Sequence, residues 1–215
     1  MSKINIVLDA TMLDTFISCE CKFNYRFNLN KVTVVKAKPL DRGGLIHVGE
    51  ETYYNTLRAG VSFDERLELS LAAIRNAYFA ESDLTADEYA RILEVYPENK
   101  KFWRERDEAL EILEVEKPFF YKLHEDECIV LIMIGKIDLI VNETINGSTY
   151  NRLPYDHKSY DRSYPVDRKA NQFCNYAYAT ESNYLVVNKV GFQTSLKNHE
   201  KHKRIPLSYD PLFLE

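Results

Sequence analysis

The sequence predicts an α+β (α/β) domain in which a helical N-terminal part precedes a mixed β-sheet flanked by helices. In the first half of the chain, apolar residues recur at spacings of three and four, which is typical of helices. From residue 114 onward they fall in short runs rich in β-branched and aromatic residues, which is typical of strands. The order of helices, three strands, one helix and two strands belongs to this fold class.

The helical half divides at capping and turn signals. An apolar stripe predicts a first helix over residues 11–27, and a second is predicted over residues 43–58. Two capping boxes, each a hydroxyl residue followed three positions later by Glu, predict helices over residues 62–79 and 85–95. A proline then predicts the start of a helix over residues 97–113.

The second half contains the predicted sheet. Asn146-Gly147 is a strong hairpin signal, because both residues tolerate a positive φ, and it predicts that the flanking strands pair. Strands are expected at residues 115–123, 128–141, 150–158, 184–192 and 203–207, with one helix at 167–180.

Length and charge bound the possible functions. With 215 residues, one compact domain is expected, made of a helical part over residues 1–113 and a core over residues 114–215. The net charge of −5 does not indicate a nucleic-acid binder, nor does it exclude one, because a local basic groove can lie on an acidic protein. The start of the chain does not resemble a secretory signal, and the longest apolar stretch, residues 128–134, is too short to span a bilayer. We therefore expect a cytoplasmic protein with no membrane partner.

Two short motifs could carry chemistry. Asp138, in Gly-Lys-Ile-Asp, lies in an otherwise apolar strand, where a carboxylate is costly unless it is paired or bound to a cation. Asp156 and Lys158 are two residues apart on the next strand and share a face, so the hairpin can bring them to Asp138. His157 between them is expected to be exposed, because it points the other way. Two carboxylates suit Mg²⁺ or Mn²⁺, and a nearby lysine suits phosphodiester hydrolysis. The simpler alternative is a partly buried ion pair between Asp138 and Lys158.

These motifs resemble the PD-(D/E)XK nuclease superfamily, and further positions resemble its RecB-like branch, which includes the CRISPR-adaptation, AddB and phage exonuclease relatives. The matching segments follow the family's order and span residues 9 to about 207. They are the Cys-and-aromatic helix at residues 19–27, the Gly-Gly-Leu-Ile-His entry to a helix at 43–47, Glu116 in the first core strand, the two acidic motifs, and Gln-x-x-x-Tyr at 172–176.

The resemblance implies a restriction-endonuclease-like core and a metal-dependent DNA nuclease. The implied metal ligands are His47, Asp138, Asp156 and the backbone carbonyl of His157. The other implied site residues are Lys158 as the catalytic lysine, Glu116 as a supporting acid, and Gln172 and Tyr176, which position the scissile strand.

Basic residues near these motifs suggest phosphate contacts. Arg162, Arg168 and Lys169 follow the Asp-x-Lys motif closely enough to reach phosphates. The basic run at residues 197–204 is either a solvated loop or an edge that grips phosphates.

An iron–sulfur cluster is not expected, although several members of the RecB-like branch hold one with one N-terminal and three C-terminal cysteines. Cys19 matches the first position, but no cysteine follows Cys174. Cys128 and Cys174 are expected inside core elements as small apolar residues. Residues 208–211 resemble the start of a helix. The sequence therefore leaves open whether a C-terminal segment with further cysteines follows.

The sequence is compatible with three functions. The first is a Mg²⁺- or Mn²⁺-dependent deoxyribonuclease that acts as an exonuclease or on single strands or ends, in recombination, repair or CRISPR adaptation. The second is a DNA-binding module with a nuclease fold that does not cut, held in a larger assembly by a recombination or repair protein. The third is a plain metal-binding or scaffold protein.

Overall fold

The computed structural model describes residues 3–31, 38–160, 171–193 and 197–209. It confirms the predicted fold class, a mixed sheet flanked by helices. The helices are α1 Ala10–Ser18, α2 Glu20–Phe23, a short π-helix Asn24–Asn28, α3 Lys38–Arg58, α4 Phe63–Glu81, α5 Ala86–Glu108, α6 Asn171–Thr180 and α7 Asn198–Lys201. The strands are β1 Ile4–Leu8, β2 Glu111–Glu125, β3 Ile129–Ile145, β4 Ser148–Tyr160, β5 Tyr184–Gly191 and β6 His202–Ser208.

The long strand β3 organises the sheet. It pairs with β1 in parallel and with β2 and β4 in antiparallel fashion, and the sheet continues from β4 through β5 to β6. Strands β4 and β5 are parallel, whereas β5 and β6 are antiparallel. From Leu139 onward, β3 has β2 on one side and β4 on the other.

The predicted hairpin between β3 and β4 is confirmed. Asn146 and Gly147 have φ angles of 51° and 81°, the pair of positive values that a tight hairpin of this twist requires. The turn fixes the register, with Leu139 opposite Tyr155. Asp138 and Asp156 therefore lie one residue beyond this pair, on neighbouring strands.

Both faces of the sheet are covered by helices. On one face, Tyr53 and Tyr54 of α3 are fully buried against Leu139 and Tyr155. On the other face, α6 buries its own apolar side chains, Phe173 among them, against β3 and β5. Each such buried side chain contributes about 1.5–3 kcal/mol to stability. The layers therefore hold α3 and α6 on opposite sides of the same strands.

Helix α5 shows where local signals were misleading. The sequence predicts that Pro97 opens a new helix, but α5 runs through it without a break. Ile92, Val95 and Tyr96 of the same helix are fully buried, and that burial offsets the roughly 3 kcal/mol cost of an internal proline. The predicted capping box forms at Thr85, whereas the Ser62 side chain makes no capping hydrogen bond.

Two further expectations differ from the structure. Strand β1 was not predicted, since five residues without alternation are a weak signal and the pairing partner is more than 120 residues away in the chain. Cys128 was expected in the core but is exposed, because it precedes β3, while Cys174 is half-buried on α6. None of the described helices is long and apolar enough to cross a membrane.

Candidate metal centre

Three acidic residues lie in a row across β2, β3 and β4. Asp138 is at the centre on β3. Glu116 lies opposite it on β2, because its two chain neighbours pair with the two chain neighbours of Asp138. On the other side, Asp156 directly follows Tyr155, the β4 partner of Leu139. The three strands thus bring together carboxylates that are up to 40 residues apart in sequence.

Glu116 occupies a strained position in β2. Its φ angle is +51°, in the left-handed region, which a non-glycine residue rarely adopts inside a strand. Such a conformation costs on the order of 1–3 kcal/mol and is characteristic of functional sites. The Glu116 carboxylate accepts from the ammonium of Lys136 and faces His47.

His47, on α3, lies next to two of the three acids. Its Nδ1 atom is 3.8 Å from Oε1 of Glu116 and 3.7 Å from Oδ1 of Asp138. The ligand atoms of these three residues all lie within 4.8 Å of one another. An ion with bonds of about 2.1 Å joins ligand atoms roughly 3–4 Å apart, so this spacing fits one divalent cation better than it fits direct hydrogen bonds.

The two buried aspartates carry more negative charge than their surroundings offset. Burial and, next, the neighbouring Asp156 raise the pKa of Asp138 to about 7. Burial also raises the pKa of Asp156, although Lys158 opposes the shift. Within the described residues, Oδ2 of Asp156 is buried without a hydrogen-bond partner. A cation between the carboxylates would remove this penalty.

The pKa of His47 is raised. Burial alone would lower it, but the Glu116 and Asp138 carboxylates outweigh burial. The pKa of Glu116 is lowered: burial would raise it, but the nearby His47 ring and the Lys136 ammonium outweigh that effect. Metal binding would therefore compete with protonation of this imidazole.

A chain of hydrogen bonds holds Lys158 beside the acids. Its ammonium donates to Oδ1 of Asp156 at 2.9 Å and to Oε1 of Gln172 at 3.0 Å. The Gln172 amide donates to the Tyr176 hydroxyl at 2.9 Å, and that hydroxyl donates to the carbonyl of Lys136 at 2.6 Å. Gln172 and Tyr176 of α6 thus lie next to the lysine that the sequence singles out.

His157 was expected to be exposed, and this expectation is wrong. The residue is only 2% exposed, because helices cover both faces of the sheet. Its ring stacks on Tyr54 with centroids 5.5 Å apart, and Nδ1 lies 3.0 Å from the amide of Asn188. Burial lowers the pKa of His157 well below its usual range, so the ring is neutral. Sequence reasoning did not identify Asn188, and nothing in its local pattern marks it.

The predicted phosphate-contacting residues have mixed outcomes. Arg162, Arg168 and Lys169 lie outside the described residues. In the basic run, Lys197 is exposed, but Arg204 is buried against Asp107 and belongs to strand β6. Arg204 is therefore neither in a solvated loop nor available to a phosphate, because it neutralises a buried carboxylate.

Comparisons with known proteins add little to this geometry. No family model matches the chain, and no curated protein matches it. Among solved structures, the chain is similar to the crystal structure of SSO0001, with 12% identity and a TM-score of 0.36 over 94% of this chain and 82% of that chain. A likeness this weak identifies neither a fold family nor an activity.

Proposed function

We propose that this protein is a divalent-metal-dependent deoxyribonuclease of the RecB-like PD-(D/E)XK type, with a restriction-endonuclease-like core. The observation that carries the proposal is the row of Glu116, Asp138 and Asp156 across three adjacent strands, with His47 above it and Lys158 beside it. A plain ion pair between Asp138 and Lys158 does not account for this arrangement, because Lys158 bonds Asp156, and Asp138 faces His47.

The residues fit a hard cation such as Mg²⁺ or Mn²⁺. His47, Glu116 and Asp138 would hold it, and the unpartnered Oδ2 of Asp156 would supply a further oxygen. Such an ion, when bound, polarises a phosphate and lowers the pKa of a bound water. The ammonium of Lys158, fixed by Asp156 and Gln172, is placed to stabilise negative charge on the phosphate and to orient the attacking water.

Gln172 and Tyr176 are proposed to act partly through Lys158. Gln172 donates to Tyr176 and accepts from Lys158, so it sets the direction of the ammonium. Tyr176 is anchored on the backbone of β3 at Lys136, which ties α6 to the strand that carries Asp138. DNA is the proposed partner. The proposed phosphate contacts are Arg162, Arg168 and Lys169.

The experiment that tests this function uses end-labelled DNA, single- and double-stranded, linear and circular. Each substrate is incubated with protein in Mg²⁺, in Mn²⁺ and in EDTA. The variants are Lys158→Ala and, as a matched control, Lys101→Ala, since Lys101 is an exposed lysine of α5. Cleavage of circular DNA separates endonuclease from exonuclease action.

We expect cleavage that requires a divalent metal, is lost in Lys158→Ala and is unchanged in Lys101→Ala. Cleavage that persists in EDTA, or in Lys158→Ala, would contradict the proposed site. DNA binding without cleavage under every condition would favour the DNA-binding module that does not cut, working with a recombination or repair protein.

A further inference from the structure

A small cleft opens beside the proposed site, between α1, β3 and α6. Its volume is about 190 Å³, below the range of roughly 300–1,000 Å³ typical of drug-sized ligands. Its lining includes Lys136, Gln172 and Tyr176, which also belong to the hydrogen-bond chain that ends at Lys158. A group in this cleft is therefore an immediate neighbour of a phosphate held at Lys158.

The α1 wall of the cleft carries negative charge. Asp9 and Asp14 both line it. Asp14 accepts a 2.5 Å hydrogen bond from the side-chain amide of Asn171, which joins α1 to the start of α6. Two carboxylates repel a phosphate, whereas they accept hydrogen bonds from an amino group. Lys136 also lines the cleft, but its ammonium is paired with Glu116. The cleft is therefore better suited to a neutral group with N–H donors than to the DNA backbone.

The other surfaces of the cleft are aromatic and amide. Phe119 and Tyr176 both line it, with ring centroids 6.1 Å apart in an edge-to-face arrangement. The ring of Phe119 covers Gly135, where a Cβ atom would approach it to 2.5 Å. The glycine of the Gly-x-x-Asp motif thus leaves the space that this ring fills. Aromatic surfaces of this kind pack against nucleobases.

Asn175 gives the cleft an unused hydrogen-bonding group. The residue is 8% exposed, and its Oδ1 accepts from the Tyr121 hydroxyl at 2.7 Å. In the part of the chain that the structure describes, its Nδ2 has no partner. Rotating the amide by 180° would leave the oxygen unpaired instead, so one amide atom is unsatisfied in either orientation. A buried amide group without a partner requires an explanation. Because the Nδ2 atom is itself buried, a ligand in the cleft would reach it after the Asn175 side chain turns toward the cleft.

We infer that this cleft binds one unpaired nucleobase next to the scissile phosphate and selects bases with an exocyclic amino group, namely adenine, cytosine and guanine, over thymine. The inference rests on the proposed nuclease function and specifies its substrate as single-stranded. Carboxylates accept from the amino group of cytosine, and asparagine pairs with adenine. A base within a duplex could enter only after it is flipped out of the stack.

Two measurements test the base pocket. The first is cleavage of single-stranded thymine 12-mers that carry one adenine or cytosine at each position in turn, in Mg²⁺. The second, in EDTA, is NMR titration with deoxycytidine and with thymidine, which requires no activity. The variants are Asn175→Leu, which removes the amide, and Asp14→Asn, which is exposed and should fold normally. Asp64→Asn, an exposed aspartate on α4, is the matched control.

The wild-type protein is expected to favour adenine or cytosine over thymine by about tenfold at one fixed position from the cut. It should also bind deoxycytidine about tenfold more tightly than thymidine, and both preferences should fall below about threefold in Asn175→Leu and Asp14→Asn. Base-indifferent cleavage with equal nucleoside binding would overturn the pocket and leave the nuclease standing. Selective nucleoside binding without any cleavage would support the pocket and count against the nuclease.

Discussion

Oδ2 of Asp138 accepts a 2.7 Å hydrogen bond from the backbone N–H of His157. This bond joins β3 and β4 at the point where they carry their acidic residues, just beyond the last paired residues Leu139 and Tyr155, and it fixes one oxygen of the carboxylate. The other oxygen, Oδ1, faces His47 at 3.7 Å. Because His157 is clamped between Tyr54 and Asn188, the backbone that orients Asp138 is itself held in place.

Replacing Asp138 by Asn should stabilise the metal-free protein at pH 8. The change removes a buried charge next to Asp156, and the new amide oxygen still accepts from the His157 N–H. We expect a gain on the order of 2 kcal/mol, or roughly 4–8 °C in Tm. Differential scanning fluorimetry in EDTA measures it, with Asp64→Asn as control. A lower Tm for Asp138→Asn would mean that the carboxylate is not under electrostatic strain.

The stability advantage of Asp138→Asn should depend on pH. The folded-state pKa of Asp138 is raised from 3.8 to about 7, so the folded wild-type protein holds a proton that the unfolded chain releases in this range. Wild-type stability relative to the variant should therefore fall as pH rises from about 4 to 7, by at most about 1.4 kcal/mol per unit. Urea unfolding at pH 5 and 8 in EDTA checks the sign. A difference that does not change with pH would contradict the raised pKa.

Mutating Lys100 to Met should destabilise the fold strongly. Lys100 and Glu50 form a fully buried ion pair, and the ammonium lies over three tyrosine rings, the nearest at 4.5 Å. The variant leaves a buried, unpaired carboxyl, which typically costs about 3–5 kcal/mol. The double variant Glu50→Gln/Lys100→Met should recover most of that loss in urea unfolding.

The matched control for Lys100→Met is Lys117→Met. Lys117 pairs with Glu114 at the surface, where an ion pair contributes about 1 kcal/mol or less to the free energy of unfolding. Equal losses for Lys100→Met and Lys117→Met would show that the buried pair carries no special energetic role.

The acidic residues of the candidate site can be recognised from the sequence, because each differs from its local surroundings. An aspartate inside an apolar strand and an Asp-x-Lys after a hairpin are visible without a structure, and the Asn146-Gly147 turn sets the register that joins them. The left-handed φ of Glu116 is not visible in this way, because only the sheet imposes it.

The errors arise where tertiary packing outweighs local preference. The alternation rule treats one face of a strand as exposed, but α3 buries His157 against Tyr54 on the far face. The local sequence assigns Arg204 to a basic run, but in the structure Arg204 forms an ion pair with Asp107 of α5. Pro97 is predicted to begin a helix, but α5 continues through it. For His157 and Arg204 the deciding partner is distant in sequence.

Equilibrium binding of Mn²⁺, measured by isothermal titration calorimetry at pH 8, tests the central claim most directly. The wild-type protein should bind Mn²⁺, and Asp138→Asn and His47→Ala should each weaken binding by at least about tenfold. Lys158→Ala should still bind the ion, because Lys158 is not a ligand. No binding by the wild-type protein, or equal affinity in Asp138→Asn, would contradict the proposed metal centre.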